Sequence, residues 1–192
     1  MDNMPTALEA PKSRNLFFTS QVDQKSIAEL TKSIITIQEH DKNLKKVYAL
    51  HDITYEPKPI KIYIDSYGGY VYQCFGLLSV MNRCTTPIHT IVTGCAMSCG
   101  FMMLISGHKR FAHKLSTPLY HQVSSAAWGK LKDMEEDVEE TKRLQKMLEA
   151  ITLEKTSISA KRLKEVFEKK FDWFMSADEA LSLGVVDEIL QD

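Results

Sequence analysis

Ser98 is the residue around which a reaction could be built. It lies within IHTIVTGCAMSCGFMMLI, residues Ile88 to Ile105. Ile88, Thr90 and Val92 alternate with further β-branched residues, which is strand chemistry. The pattern breaks at Gly94, and CAMSCGFMMLI runs through small residues into an apolar helix start. A serine at that junction holds its hydroxyl at the mouth of the element. The N–H of Cys99 then belongs to the donors that a first helical turn leaves unpaired. A hydroxyl and an adjacent free N–H are a nucleophile and a donor for the oxyanion it creates, the two needs of acyl transfer. The same small residues would equally let a strand and a helix pack closely, so the junction alone leaves both readings open. Cys99 could itself be read as the nucleophile, but a buried cysteine at a helix start more often packs as a small apolar side chain.

A serine nucleophile needs a base, and the base needs an orienting group. The six histidines are His40, His51, His89, His108, His113 and His121. His89 lies inside a strand, and His108 and His113 flank a loop. His121 follows the apolar PLY and precedes Gln122, where a strand ends, and strand ends are where open α/β sheets collect their sites. Spacing puts His121 first among the six without excluding the others. A second glycine-marked strand end follows Ile60 to Ile64, in DSYGG, where Gly68 and Gly69 permit a close backbone approach to a ligand or simply a turn.

The elements that must hold these groups follow from periodicity. Met1 to Ser13 is polar and Pro-broken, an expected mobile arm, so that residues 1–14 stand apart from a single domain over 15–192. Asn15 to Val22 reads as a short strand. Asp23 then caps a helix carrying Ile27, Leu30, Ile34, Ile35 and Ile37. Asp41 to Pro59, with VYAL and ITY before Pro57 and Pro59, reads as a hairpin or an extended insertion. Tyr72 to Asn82 is helical, Ser98 to Ser106 is helical, and Phe111 to Ala112 and Thr117 to Tyr120 are short strands. The longest periodic segment, Trp128 to Thr156, sets Leu131, Met134, Val138, Leu144, Leu148 and Ile151 on one face. Ser159 caps Lys161 to Lys169, Ser176 with Glu179 forms a capping box, and Val185 to Leu190 is a last strand. Strands alternating with helices call for a mainly parallel sheet with right-handed crossovers.

Composition narrows the partners. The chain has 192 residues, enough for one well-buried core. Its net charge of −1 gives no electrostatic reason to expect nucleic acid or an anionic membrane. No apolar run approaches bilayer length, and MDNMPTALEAPKSRN has neither the basic start nor the apolar centre of a secretory signal. Cys74, Cys84, Cys95 and Cys99 show no metal-ligand spacing, and free thiols without an export signal point to the cytoplasm.

Four stretches together carry a likeness. IYIDSYGG, GCAMSCG, YHQ and FDWFMSADEA occur in that order. They resemble, in turn, the Asn-Ser-Pro-Gly-Gly, Gly-x-Ala-x-Ser-Met-Gly, Ile-His-Gln-Pro and Asp-x-x-Met-Ser-Ala-x-Glu-Ala motifs of the ClpP family, the proteolytic subunits of the Clp proteases. The resemblance runs from about Leu16 to Leu190. It implies Ser98 as nucleophile, His121 as base and Asp172 as orienting acid. It also implies an oxyanion hole of the Gly69 and Cys99 N–H groups, and a peptide-binding edge at Gly68 and Gly69. The implied fold is α/β, with ClpP/crotonase-like stacked β-β-α units and a protruding handle helix over about 128–156. The implied activity is serine endopeptidase cleavage of unfolded polypeptides, by a homo-oligomer built as a heptameric ring or double ring. No metal or cofactor is implied, and ATP would act only through an AAA+ unfoldase partner. The order of the three residues separates the chain from α/β-hydrolases, whose acid precedes the histidine. Taken by itself, Asp172 beside Trp173 and Phe174 could equally be a helix-boundary cap.

The chain departs from the family pattern in four places. The stretch before Leu16 is short for the family's axial-pore hairpin. Lys61, and Arg83 or Cys84, stand where the unfoldase-docking rim carries aromatics. An insertion lies around His51 to Pro57, and Tyr67 and Val123 replace two prolines. The first three argue against unfoldase docking and pore gating; the last leaves the triad untouched. A catalytically silent ring subunit, a crotonase-like acyl-CoA enzyme and a phage capsid-maturation protease are the alternative readings.

Overall fold

The computed structural model describes Pro11, residues 13–126 and residues 128–191. The expected arm therefore lies almost wholly outside the described residues. In chain order the elements are β1 (Asn15–Phe18), α1 (Gln24–Ala49), β2 (Ile60–Ser66), α2 (Val71–Arg83), β3 (Ile88–Met97), α3 (Cys99–Ile105), β4 (Lys109–His113), β5 (Thr117–Tyr120), α4 (Leu131–Lys155), α5 (Ala160–Lys169), β6 (Trp173–Phe174), α6 (Ala177–Ser182) and β7 (Glu188–Leu190). The strands form one sheet in the order β1-β2-β3-β4-β7, all parallel. β5 lies parallel to the later half of β3, and β6 pairs antiparallel with β5.

Alternation decides which side of each strand enters the core. Ile60, Ile62 and Ile64 of β2 are fully buried, whereas on the other face Lys61 and Asp65 are exposed and Tyr63 is half-buried. The buried set packs with Ile27, Leu30, Ile34 and Ile37 of α1 and with Cys74, Leu77, Leu78 and Met81 of α2 in one continuous cluster. α3 is buried along its whole length and extends that cluster toward Leu148 of α4. Among the described residues no helix is long and apolar enough to cross a membrane.

The structure corrects several sequence-based expectations. Asp41 to Ala49 is not a hairpin arm: α1 continues through it, so VYAL is helical, and ITY forms no strand. The cause is Asp41, which is 4% exposed. Its carboxylate accepts from both terminal nitrogens of Arg14, from Tyr55 Oη at 2.8 Å and from Thr86 Oγ1 at 2.7 Å. Those bonds fix the middle of α1 to the chain before β1, to the loop after the helix and to the turn before β3. Nor does β3 end at Gly94. Asp65 Oδ1 accepts from the Cys95 N–H at 2.9 Å, which carries the strand across a register shift in β2. A Cβ at Gly94 would lie 2.5 Å from that same carboxylate oxygen, so a larger residue there would have to push the carboxylate off the Cys95 N–H. The capping box at Ser176 is half formed: Ser176 Oγ accepts from the Glu179 N–H, but the Glu179 carboxylate accepts from Trp173 Nε1 at 3.0 Å. β1 and β7 are shorter than expected. On α4, Leu144 and Leu148 are buried, while Leu131, Met134 and Val138 face outward.

The Asp41 cluster gives a stability test. Burial pushes the Asp41 carboxyl up, but the bonds from Arg14, Thr86 and Tyr55 outweigh it and hold the carboxyl below its ordinary value. Asp41→Ala is expected to cost about 3 kcal/mol, the low end for breaking a buried pair, because Arg14 keeps some contact with water. A depressed folded-state pKa contributes stability above the unfolded value of 3.8 and loses it as pH falls through the lower folded value. In urea melts the gap between wild type and Asp41→Ala should therefore be constant near neutrality and narrow below that pH. A gap that widens on acidification would contradict the cluster's role.

Candidate active site

Ser98 joins β3 to α3 with φ 54° and ψ −119°. These angles are those of the first central residue of a type II′ turn, a position that favours glycine. A β-carbon is held there because both backbone groups are tied. The Ser98 N–H donates to the Leu119 C=O of β5 at 3.1 Å, and its own C=O accepts the Met102 N–H of α3 at 3.2 Å. A strained backbone persists when its surroundings over-determine it, and here the strain turns the hydroxyl away from both elements.

Strand register brings the next two groups in. β3 and β5 are aligned with Met97 beside Leu119, so the C-terminal ends of both strands reach the same level. β5 and β6 are aligned with Tyr120 opposite Trp173. One step further along each strand sets His121 opposite Asp172, and His121 Nδ1 lies 3.5 Å from Asp172 Oδ1. Ser98 and His121 line one small cleft with Gly69, Val71 and Met102. The three residues named from sequence are thus gathered from four elements: the β3–α3 junction, the end of β5 and the start of β6. Asp172 is kept in place by its neighbours. Trp173 is buried with its indole N–H on Glu179, and the Arg162 guanidinium lies 4.3 Å from the Trp173 ring and 5.4 Å from that of Phe171. Arg162 carries no signal in the sequence, since it reads as one more cation on a solvated helix.

The remaining histidines separate on structural grounds. His89 sits in β3 against Phe111, with ring centres 5.5 Å apart, and burial followed by the charges of Lys109 and Lys61 pushes its pKa down. The Nδ1 of His108 accepts the Ile88 N–H at 3.0 Å, which occupies it structurally. Neither His40 nor His51 nor His113 lines the Ser98 cleft.

Gly68 and Gly69 approach Ser98 from β2. A Cβ at Gly68 would stand 2.6 Å from the Met97 oxygen and 2.7 Å from Ser98 Cβ, and its φ of 95° disfavours any side chain. The Gly68 N–H donates to Ser66 Oγ at 3.2 Å, and its C=O accepts from the Val22 N–H at 2.7 Å. Among the described residues, neither the Gly69 nor the Cys99 N–H donates to a backbone carbonyl of a turn or loop. Cys99 is 2% exposed, and its thiol donates to the Gly69 C=O at 3.3 Å. The thiol faces the second glycine rather than the cleft, as a packing and tethering group. Its neighbour Cys74 is pushed well above the usual thiol range by its contact with Cys99 and by burial, so it stays protonated. Among the described residues no cluster of His, Cys, Asp and Glu could hold a metal ion.

A family model described as Clp protease matches residues 7–192. Among curated relatives, the ATP-dependent Clp protease proteolytic subunit 2 of Bacillus licheniformis is 35% identical over 135 residues, covering 69% of this chain and 70% of that protein. The ATP-dependent Clp protease proteolytic subunit of Deinococcus radiodurans is 33% identical over 133 residues, covering 68% of this chain and 64% of that protein.

Gly68→Ala tests the approach of β2 to the serine. The new methyl must displace either Met97 or Ser98, and an ångström-scale shift at a reacting group costs on the order of 10²-fold in rate. Labelling of Ser98 by a fluorophosphonate should slow by that amount in protein that still melts cooperatively. An unchanged labelling rate would show that Gly68 does not set the serine's position.

Proposed function

This chain belongs to the Clp protease family, whose members are serine peptidases, and on that premise we propose that it cleaves unfolded polypeptides through Ser98, His121 and Asp172. The observation that carries the reading is the His121–Asp172 pair at 3.5 Å, set by strand register beside the cleft that Ser98 shares with His121. A substrate peptide adds as a strand along the edge at Gly68 and Gly69, which supplies main-chain hydrogen bonds without reading side chains closely. Ser98 Oγ attacks the scissile carbonyl as His121 takes its proton. The oxyanion falls to the Gly69 and Cys99 N–H groups. Asp172 holds the imidazole tautomer and stabilises its cation, and His121 returns the proton to the leaving amine. Water then repeats the sequence on the acyl-enzyme. Each step uses this chain's own residues.

We take residues 15–192 as one peptidase domain that works as a cyclic oligomer in the cytoplasm, with α4 as the handle. Leu131, Met134 and Val138 support assembly: these side chains on α4 are 72%, 40% and 47% exposed in one copy, and apolar surface of that kind is ordinarily covered by a partner. A seven-fold ring or a pair of rings is the expected form. Docking of an AAA+ unfoldase is disfavoured by Lys61 on β2 and Arg83 at the end of α2, both exposed cations where an apolar loop would have to sit. Burying an apolar side chain against an unpaired cation forfeits a few kcal/mol, roughly a hundredfold in affinity per anchor.

Ser98→Ala deletes one hydroxyl and leaves the packing intact. Hydrolysis of a short fluorogenic peptide should fall by on the order of 10⁴ to 10⁶. A mutant within tenfold of wild type would remove the assignment. Native mass spectrometry at micromolar concentration should give a closed multimer, and a sharp monomer peak would contradict the role given to α4. Mixed with a Clp unfoldase and ATP, the protein should neither co-migrate with it nor degrade a folded tagged substrate; doing both would show that the cationic rim is no obstacle.

A further inference from the structure

Gln145 is a buried amide on α4, 7% exposed, between the apolar Leu144 and Leu148 that seat the helix on the core. Burying an amide costs about 1–3 kcal/mol unless its donor and acceptor are both engaged. Here they are. Its Oε1 accepts the Val123 N–H at 2.8 Å, and its Nε2 donates to Glu149 Oε1 at 2.7 Å, one helical turn along. The same Nε2 stands 3.5 Å from the Tyr120 hydroxyl, at the limit of a hydrogen bond.

Those partners bracket His121. Tyr120 immediately precedes it, and Val123 follows two residues later. β5 ends at Tyr120, and residues 121–126 have no regular secondary structure. Among the described residues, that segment has two hydrogen bonds outside the β5 ladders, and both go to α4: Val123 to Gln145, and Ser125 Oγ to Thr141 Oγ1 at 3.1 Å. The Gln145 bond is the one that is shielded from water on the helix side and made to the main chain, whereas the Ser125–Thr141 bond is exposed. It fixes the peptide following Gln122, and so the direction in which the chain leaves β5 with the imidazole on it. Asp172 cannot substitute for this hold, since it is 59% exposed and 3.5 Å away.

We propose that Gln145 is a positioning residue, one that holds His121 at its working angle by anchoring the Val123 amide to α4. The proposal rests on the triad reading given above. It concerns the rate of the chemical step and not the binding of peptide. Without the Gln145 acceptor, residues 121–123 keep their ladder at one end and lose their anchor at the other, and His121 swings over a wider range.

The test uses the full-length assembled protein and two variants. Gln145→Leu keeps the bulk and removes both hydrogen bonds. The double variant Gln145→Glu with Glu149→Gln exchanges donor and acceptor between the two positions. It restores an acceptor for the Val123 N–H and a bond between residues 145 and 149 with no net change in charge. With a fluorogenic peptide, Gln145→Leu should lower kcat by about 10- to 100-fold, the scale of ångström misplacement of a catalytic group, while KM changes less than threefold. The exchanged pair should recover kcat to within about fivefold of wild type. Assembly and melting temperature are read on every sample, and Gln145→Leu is scored on its assembled fraction. If that variant does not assemble, the exchanged pair decides alone: assembled with near wild-type kcat supports the proposal, assembled without it overturns it. A Gln145→Leu kcat within twofold of wild type, a kcat that falls only with the folded fraction, or failure of the exchanged pair to assemble overturns it as well. Wild-type protein that neither hydrolyses the peptide nor is labelled at Ser98 by a fluorophosphonate overturns the triad reading instead, and the two failures are therefore distinct.

Discussion

The site depends on β3 being longer than either strand that pairs along one of its flanks. β4 takes His89 to Val92 and β5 takes Cys95 to Met97, so the flank is handed from one strand to the other at Thr93 and Gly94. On the opposite flank the Asp65 carboxylate of β2 accepts the Cys95 N–H and carries β3 past the register shift between Ile64 and Ser66. Because β5 is released from the level of β4, it ends where β3 ends. Ser98 and His121 follow two parallel strands that end at one level and line the same cleft, and β6, running back along β5, delivers Asp172 to that level. Parallel sheets collect chemistry at their C-terminal ends because the chains there leave the ladder with free backbone groups. In this chain the β3 hand-over makes the meeting possible.

The groups at the site differ in how far they could be read in advance, and the difference is one of locality. The strand-to-helix turn at Ser98 is written in adjacent residues, small ones between a β-branched run and an apolar helix. His121 is placed by register with β3, which is non-local, so sequence ranked it first among six without deciding. Asp172 heads a strand of two residues, Trp173 and Phe174, and no local pattern marks it; only the likeness to a family pointed there. The 26-residue length of α1 was hidden for the same reason. VYAL has strand-like residues, but contacts of Asp41 with Arg14, Tyr55 and Thr86, far apart in sequence, outweigh that local preference. At Glu179 a correct local pattern lost to a tertiary competitor, the Trp173 indole. Gln145 was illegible because an amide on a charged helix reads as surface until the helix is docked.

α4 presents two unlike faces to this arrangement. Outward, Lys132–Glu135 and Lys142–Glu139 pair three residues apart, exposed contacts that steady the helix locally and add little to global stability. Inward, successive turns reach toward the site. Glu140 accepts from Tyr72 Oη at 2.5 Å, at the start of the helix that follows Gly69, and Thr141 and Gln145 hold the segment after His121. Glu140 is held as the carboxylate, its pKa lowered to about 2 by Arg143 and then by Tyr72. Both walls of the cleft thus lean on the helix whose far end carries uncovered Leu131 and Met134.

The backbone at Ser98 sets folding against the role proposed for its hydroxyl. A side chain at φ 54° and ψ −119° is held against its own preference, and a glycine there would be free of that strain by about 1 kcal/mol. Selection for a well-folded chain alone would favour losing the β-carbon, and with it the hydroxyl that the proposed peptidase requires.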